Sequence, residues 1–252
     1  MGMTTQPFDA LAEAYDAMID WPKRLANEEP FYRWLFERVG AKRVLDASCG
    51  TGRHAAMFHS WGLHVEGADI SEAMIRRCQA SYAPSPNLRW TVRGYDHPVE
   101  PAGSFDVAIC TGNSLALAPD MQTIERAVHQ LLAAVRTGGA LLIHVPNLWR
   151  MEDGPCQWQK CLRTRLSQGD SLIVKGMHRA GRRGYVDVIV TMLDAPAPTM
   201  HAESVPFWGL EAVESQAMAR SAGASQVDLF GGYSRQPYER QSSADLILVA
   251  IR

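Results

Sequence analysis

The chain has no surplus of positive charge: 25 Lys and Arg stand against 27 Asp and Glu, a formal net charge of -2 over 252 residues. Binding along a phosphate backbone normally needs a basic excess, so a long nucleic acid is not the expected partner. Cysteine is scarce and unpatterned. The five thiols, Cys49, Cys78, Cys110, Cys156 and Cys161, contain no CxxC pair, which argues against a disulfide framework and for reduced thiols in a cytoplasmic setting. Long apolar runs are missing too. The most apolar stretches, 140–145 and 246–251, have the length of a strand and fall far short of a membrane span. Asp9, Glu13 and Asp16 occupy the region where a signal peptide would carry its apolar core. Met1-Gly2 opens like an acylation signal, but Gln6 stands where Ser or Thr is required. There is no internal repeat and no low-complexity tract. What is present is ordinary globular material, 46% hydrophobic and 21% charged, with enough length for a core and a concave site.

Apolar spacing predicts two helices within 8–38, joined near Asp20 around Trp21-Pro22. From Arg43 onward, strands and helices alternate. Strands are expected at 43–47, 63–68, 88–92, 105–110 and 140–145, with helices at 54–61, 71–80 and 121–135 and glycine turns at Gly62 and Thr137-Gly-Gly139. This rhythm predicts a mostly parallel sheet with helices on both faces. After Pro146 it changes: 171–178, 185–193 and 201–207 read as strands without helices between them, an antiparallel meander. A helix at 210–222, a strand near 227–230 and a closing strand at 244–251 follow.

Gly50-Thr-Gly52-Arg-His-Ala55 matches a dinucleotide-binding fingerprint, and Asp69 lies 17 residues beyond Gly52, near where a ribose-binding acid belongs. The residues before the glycines point elsewhere. Asp46 ends the strand and Ala47-Ser48-Cys49 extend the turn, which sets a carboxylate near the ligand. That charge opposes a diphosphate and suits a ligand carrying a sulfonium and an ammonium.

Val44-Leu-Asp-Ala-Ser-Cys-Gly-Thr-Gly52, then Ala68-Asp69-Ile-Ser71, Phe105-Asp-Val-Ala-Ile-Cys110 and Thr137-Gly-Gly-Ala-Leu-Leu142, fall in the order and spacing of the class I S-adenosylmethionine-dependent methyltransferases. The chain resembles that family over about residues 8–150. Within it, the Gly-Asn-Ser of 105–120 is similar to the glycine N-methyltransferase-like small-molecule enzymes. The resemblance implies an α/β, Rossmann-like, doubly wound sheet of seven strands with the last antiparallel, and S-adenosyl-L-methionine as cofactor. The meander then becomes an insertion covering the substrate site. One domain, 1–252, is expected, divided into an N-terminal helical lid (1–40), a cofactor-binding core (41–146), a substrate cap (147–207) and a sheet completion (208–252).

The residue roles follow. Gly50 and Gly52 let the backbone approach the ligand, where any Cβ would intrude. Asp69 accepts two ribose hydroxyls; the alternative is a helix N-terminal charge. By resemblance, Asp96 and His97 meet the adenine edge and Arg24 meets the cofactor carboxylate, an exposed helix arginine being its alternative. Tyr15 and Trp21 form a lid or belong to the core. Asp46, Ala47, Ser48, Ile70 and Thr111 line the cofactor slot. Asn113, Asn147, Trp149, Tyr233 and Tyr238 are the substrate candidates, at strand ends or in connections where α/β sheets bind ligands; core packing is the alternative for the aromatics. His144 is the leading general-base candidate, against a buried, hydrogen-bonded histidine. In glycine methyltransferases an Arg precedes the Asn, whereas here Pro146 holds that place, so glycine is not the expected substrate. No metal is expected: His54 and His59 recur five residues apart and cannot share a helix face, and Cys156 and Cys161 show no metal spacing.

The expected activity is methyl transfer to a nitrogen or oxygen of a small molecule, with no nucleic acid or membrane partner and a homo-oligomer compatible with the composition. The alternatives are an NAD(P)-binding oxidoreductase and an RNA methyltransferase. S-adenosylhomocysteine at about 100 times its Kd is expected to stabilise the protein by about 2.7 kcal/mol, raising its melting temperature. NAD is expected to leave that temperature unchanged; a thermal-shift measurement giving the reverse pattern selects the oxidoreductase.

Overall fold

The computed structural model describes residues 12–194 and 199–252. Helix α1 is Ala12–Met18 and α2 is Trp21–Val39, with Pro22 in the first turn, where a missing N–H is tolerated. Then come β1 (Arg43–Asp46), α3 (Arg53–Ser60), β2 (His64–Asp69), α4 (Glu72–Ser81), β3 (Leu88–Val92), β4 (Phe105–Cys110), α5 (Met121–Ala134) and β5 (Val135–Pro146). The chain continues through β6 (Gln157–Leu166), β7 (Gly169–Ala180), β8 (Arg183–Met192) and β9 (Thr199–Trp208). It closes with α6 (Ala212–Ser221), β10 (Gln226–Phe230) and β11 (Asp245–Ile251).

Seven strands form one sheet in the order β10-β11-β5-β4-β1-β2-β3. The pairs β4–β5, β4–β1, β1–β2 and β2–β3 are parallel, and β11 runs antiparallel to both β5 and β10. The expected architecture, antiparallel last strand included, is the one observed. Helix boundaries follow local chemistry: Ser71 caps α4 by accepting from Met74 N at 3.2 Å, and Asp120 caps α5 by accepting from Thr123 N at 2.7 Å. One face of the sheet carries α2 and α3. There Phe31, Tyr32, Phe36 and Phe58 pack edge-on or tilted among themselves and against Val44, Val107, Ile109, Leu142 and Val249. Each aromatic pair adds about 0.5–1.5 kcal/mol beyond its buried area.

The residues expected to form an N-terminal lid divide between two compact units. One joins the N-terminal stretch up to Trp21 with Met151–Gly209; the other joins Pro22–Arg150 with Leu210–Arg252. The single segment expected over 1–40 therefore splits after Trp21. The physical reason is that Ala14 and Met18 of α1 bury themselves among Leu166, Ile173, Val188 and Val190 of the meander. The meander itself has four strands, β6-β7-β8-β9, all antiparallel, rather than three. The missed strand, β6, lies at the sheet edge. Of its inward positions 160, 162, 164 and 166, Lys160 and Thr164 are polar, which weakens the apolar alternation, while Arg163 and Arg165 on the exposed face protect an otherwise unpaired edge.

Asp106 ties the start of β1 to the sheet. Its Oδ2 accepts from Lys42 N and Arg43 N at 2.7 and 2.8 Å, and its Oδ1 accepts from Arg136 Nε at 2.6 Å. Burial works against the ionised form, but these donors outweigh it and hold the carboxyl below the usual range. Its stabilising contribution is therefore present above the unfolded-state carboxyl pKa and lost as pH falls below it. Asp106→Ala is expected to cost about 2–4 kcal/mol at pH 7, because it strands two backbone donors and a guanidinium. Urea unfolding should find that loss shrinking toward pH 3.

Candidate cofactor site

The strand order reverses between β1 and β4, so the connections leaving their carboxyl ends diverge and open a crevice at that edge. The glycine turn follows β1. Gly50 and Gly52 have φ of 53° and 81°, conformations that side-chain-bearing residues avoid. The two differ in what they face. A Cβ on Gly52 would lie 2.6 Å from Trp90 Cη2 and 2.9 Å from Tyr82 Cε2, whereas one on Gly50 would meet nothing within 4 Å. Gly52 is thus demanded by packing beneath the turn, and Gly50 presents bare backbone to open space. Gly50 N donates to Asp69 Oδ2 and Ser71 N to Asp69 Oδ1, both at 2.9 Å. The carboxylate at the end of β2 is aimed by these two backbone donors, and next to it Ile70 is 50% exposed.

Asp46 is 1% exposed, and neither carboxylate oxygen has a hydrogen-bond partner. Burial, reinforced by Asp69, pushes its carboxyl up to about 6 against the opposing influence of His54, the nearby backbone N–H of Ser48 and Arg24. An unmet buried carboxylate is costly unless a cation or donor arrives. A ligand bringing an ammonium and a sulfonium supplies that charge, so the donor set fits S-adenosyl-L-methionine. Around Asp46 the turn is held to β4: Ala47 N donates to Ile109 O at 2.9 Å, and Ser48 Oγ donates to Cys110 Sγ at 3.5 Å.

After β3, Asp96 is committed to Arg126 at 2.9 Å, and its Oδ1 lies 3.3 Å from Nδ1 of the largely exposed His97. Trp21 Nε1 donates to Asp16 Oδ1 at 2.7 Å. Tyr15 falls on α1, but its side chain is outside the described residues. Arg24 Nε donates to Glu28 at 2.8 Å. Thr111 is buried just beyond β4, and its carbonyl accepts from Ser114 Oγ at 2.9 Å. Asn113 adopts φ 78° and is buried, with its Oδ1 unpartnered.

The substrate candidates at the end of β5 are bound to one another. Asn147 Nδ2 donates to the carbonyls of Arg240 and Ser243 at 2.8 and 2.9 Å, and its Oδ1 accepts from Trp149 N and Tyr238 OH at 3.2 and 3.0 Å. Trp149 Nε1 donates to Leu210 O at 2.9 Å, under the guanidinium of Arg240. Tyr233 is buried with its hydroxyl 3.4 Å from that of Tyr32. In this arrangement Asn147, Trp149 and Tyr238 tie the segment before β11 to β5, and their hydrogen bonds are spent there. His144 accepts from Gly112 N at Nδ1 (3.2 Å), so its proton sits on Nε2, 3.2 Å from Asp245 Oδ1 but off the line that a hydrogen bond needs. The basic lone pair of His144 is turned to the backbone, and acting as a general base would require breaking that bond.

Sequence reasoning overlooked Glu28, Tyr32 and the partner of His54. Glu28 is buried on the same face of α2 as Phe31, Tyr32 and Leu35, and a carboxylate on an apolar helix face was the available signal. The fold also gathers Cys156, His178 and Asp187, which sequence spacing left apart. Asp187 already accepts hydrogen bonds from His178, Cys156 and Ser204, so the cluster is a closed network.

Residues 44–139 match the family described as "Methyltransferase domain". The glycine N-methyltransferase of Oryctolagus cuniculus is 30% identical over 143 residues, which is 51% of this chain and 48% of that protein. The glycine/sarcosine N-methyltransferase of Halorhodospira halochloris is 26% identical over 148 residues, 57% of this chain and 54% of that protein. The chain thus spans about half the length of the curated relatives it matches. A sugar N-methyltransferase from Streptoalloteichus sp. superposes with a TM-score of 0.77 at 22% identity, covering 100% of this chain and 98% of that one. An S-adenosylmethionine-bound amino pentose methyltransferase from Micromonospora echinaspora gives 0.73 at 20% identity, over 100% and 99%. At such identities the structures speak for the fold. Together with the four motifs and the site, these matches give residues 44–139 as a methyltransferase domain and make the chain similar to the class I S-adenosylmethionine-dependent methyltransferases, whose cofactor is S-adenosyl-L-methionine. Within that class it is similar to the glycine N-methyltransferases.

Because Asp46 has a raised pKa in the folded chain, its ionised form weakens the cofactor-free fold above about pH 6, and the penalty disappears below the unfolded value near 4. Asp46→Asn is expected to stabilise the cofactor-free protein at pH 8 by about 1–3 kcal/mol, a gain that vanishes toward pH 4. The same variant should bind S-adenosylhomocysteine at least tenfold more weakly. Urea unfolding at both pH values and calorimetric titration measure the two effects.

Proposed function

We propose that the protein transfers a methyl group from S-adenosyl-L-methionine to a nitrogen of a small-molecule acceptor by in-line displacement. The observation that carries this reading is the buried, unpartnered Asp46 carboxylate beside the open backbone of Gly50. Bound S-adenosylmethionine supplies a methyl carbon already activated by its sulfonium. The chain's task is to bind, align and exclude water, effects that reach about 7–11 kcal/mol. Asp69, aimed by two backbone donors, takes the ribose hydroxyls. Arg24 takes the carboxylate, while Asp96 and His97 edge the adenine and Ile70 covers it. Ala47, Ser48 and Thr111 wall the slot.

Two features favour an amine over a hydroxyl acceptor. The unpartnered Oδ1 of Asn113 sits just beyond β4, next to β1 in the sheet, and suits an acceptor N–H. His144 has its Nδ1 lone pair engaged by Gly112, and an amine that has lost its proton needs no base from the enzyme. Pro146, where glycine methyltransferases carry an Arg, argues against glycine itself. Asn147, Trp149, Tyr233 and Tyr238 would then shape the site rather than touch the acceptor. A small-molecule acceptor, a reducing cytoplasmic setting and freedom from nucleic acid complete the reading.

Labelled methyl transfer to a panel of primary and secondary amines and matched alcohols tests it. Amine turnover is expected, with His144→Ala within about threefold of the parent and Asn113→Ala reduced about tenfold or more in kcat/KM, the cost of one buried hydrogen bond. Turnover of alcohols alone, abolished by His144→Ala, assigns the general base to His144 and overturns the amine reading.

A further inference from the structure

Glu28 is 3% exposed and set among Phe31, Tyr32 and Leu35 on the buried face of α2. It collects three donors: Arg24 Nε at 2.8 Å, His54 Nε2 at 2.6 Å and Tyr32 OH at 3.4 Å. Burial alone would raise its pKa, but the hydrogen bond and charge of His54, together with Arg24, bring it down to about 2, so Glu28 is a permanent anion at working pH. Such a group is not explained by the stability of the fold. A buried ion pair is seldom better for stability than well-packed apolar side chains of the same volume, because desolvation consumes the Coulombic gain.

What the pair does have is position. Arg24 stands one helical turn before Glu28 on α2, and His54 is the second residue of α3, directly after the glycine turn. Gly50, Gly52 and Asp46 belong to the segment that ends there. Glu28 therefore links the helix carrying Arg24 to the helix whose first turn the glycine loop enters. The positive charges of Arg24 and His54 both act on Asp46, so their placement also sets the field in which the cofactor's amino-acid end must lie. We propose that Glu28 and His54 are positioning residues of the cofactor site: their buried ion pair orients Arg24 toward the cofactor carboxylate and locks the glycine turn to α2. This rests on the assignment of Arg24 to that carboxylate.

The test compares two ligands, S-adenosylhomocysteine and methylthioadenosine, which lacks the amino-acid end altogether, by calorimetric titration. Arg24→Met provides the reference, and it should weaken S-adenosylhomocysteine at least tenfold while leaving methylthioadenosine within about threefold. Glu28→Gln should show the same selectivity, and the double variant R24M/E28Q should be no worse than R24M alone, the non-additivity expected of two residues acting as one device. Failure of R24M to discriminate between the ligands removes the assignment of Arg24 itself. Full discrimination by R24M with none by E28Q, or with losses that add in the double variant, overturns the positioning role and leaves Arg24 in place. Equal weakening of both ligands by E28Q also overturns it, since that is the signature of a general structural role. E28Q alone leaves His54 buried without its carboxylate partner, so Glu28→Gln/His54→Gln, which replaces the pair by two amides, is measured alongside it. It should fold, bind methylthioadenosine normally and lose the preference for S-adenosylhomocysteine. If neither E28Q nor the double-amide variant folds, the pair serves the fold and the inference is wrong.

Discussion

Reversal of strand order in a parallel sheet forces two neighbouring strands to send their outgoing chains in opposite directions. Here that happens between β1 and β4, and much of the chemistry is arranged around the edge it leaves. Asp46 ends β1, the glycine turn follows it, and Thr111 and Asn113 follow β4. Two of these residues end in buried oxygens without partners, a condition that folded chains avoid unless something else is due to satisfy it. The helices do the converse. Glu28 takes hydrogen bonds from Arg24, His54 and Tyr32, so the cofactor edge contrasts a well-partnered carboxylate with polar groups left open.

The same distinction separates residues that look alike in sequence. Gly50 and Gly52 are equivalent in the motif, yet one is required by the Trp90 and Tyr82 rings beneath it and the other by the space above it. Asn113 and Asn147 both follow sheet strands. Asn147 has every hydrogen-bonding position occupied by its own chain, and Asn113 keeps a carbonyl unmet.

The alternating strands and helices from β1 to β5 were legible because each strand is a short apolar run closed by a turn residue, and because Ser71 and Asp120 mark helix starts by their own hydrogen bonds. β6 was not legible, since two of its four inward positions hold Lys160 and Thr164, too few apolar residues to mark a buried face. The pairing of His54 with Glu28 spans 26 residues and joins two helices, so no local pattern encodes it. Asn147, Trp149 and Tyr238 were read as substrate residues because they lie near strand ends. Their mutual hydrogen bonds depend on the return of the chain before β11, which strand-by-strand reading does not supply.

β5 and β11 are adjacent in the sheet, but everything from Asn147 to Ala244 lies between them in the chain. On a ribosome, β5 emerges with one edge unpaired and stays so while about a hundred residues are made, several seconds at ordinary synthesis rates. Its Ala-Leu-Leu-Ile-His-Val run is the kind of exposed strand that other chains can pair with. The meander meanwhile closes by local hairpins over its own small apolar cluster, shortening the effective loop that β11 must cross. The inserted sheet gathers the chain between β5 and β11 into local hairpins, so the last strand closes a shorter effective loop than the residue count implies.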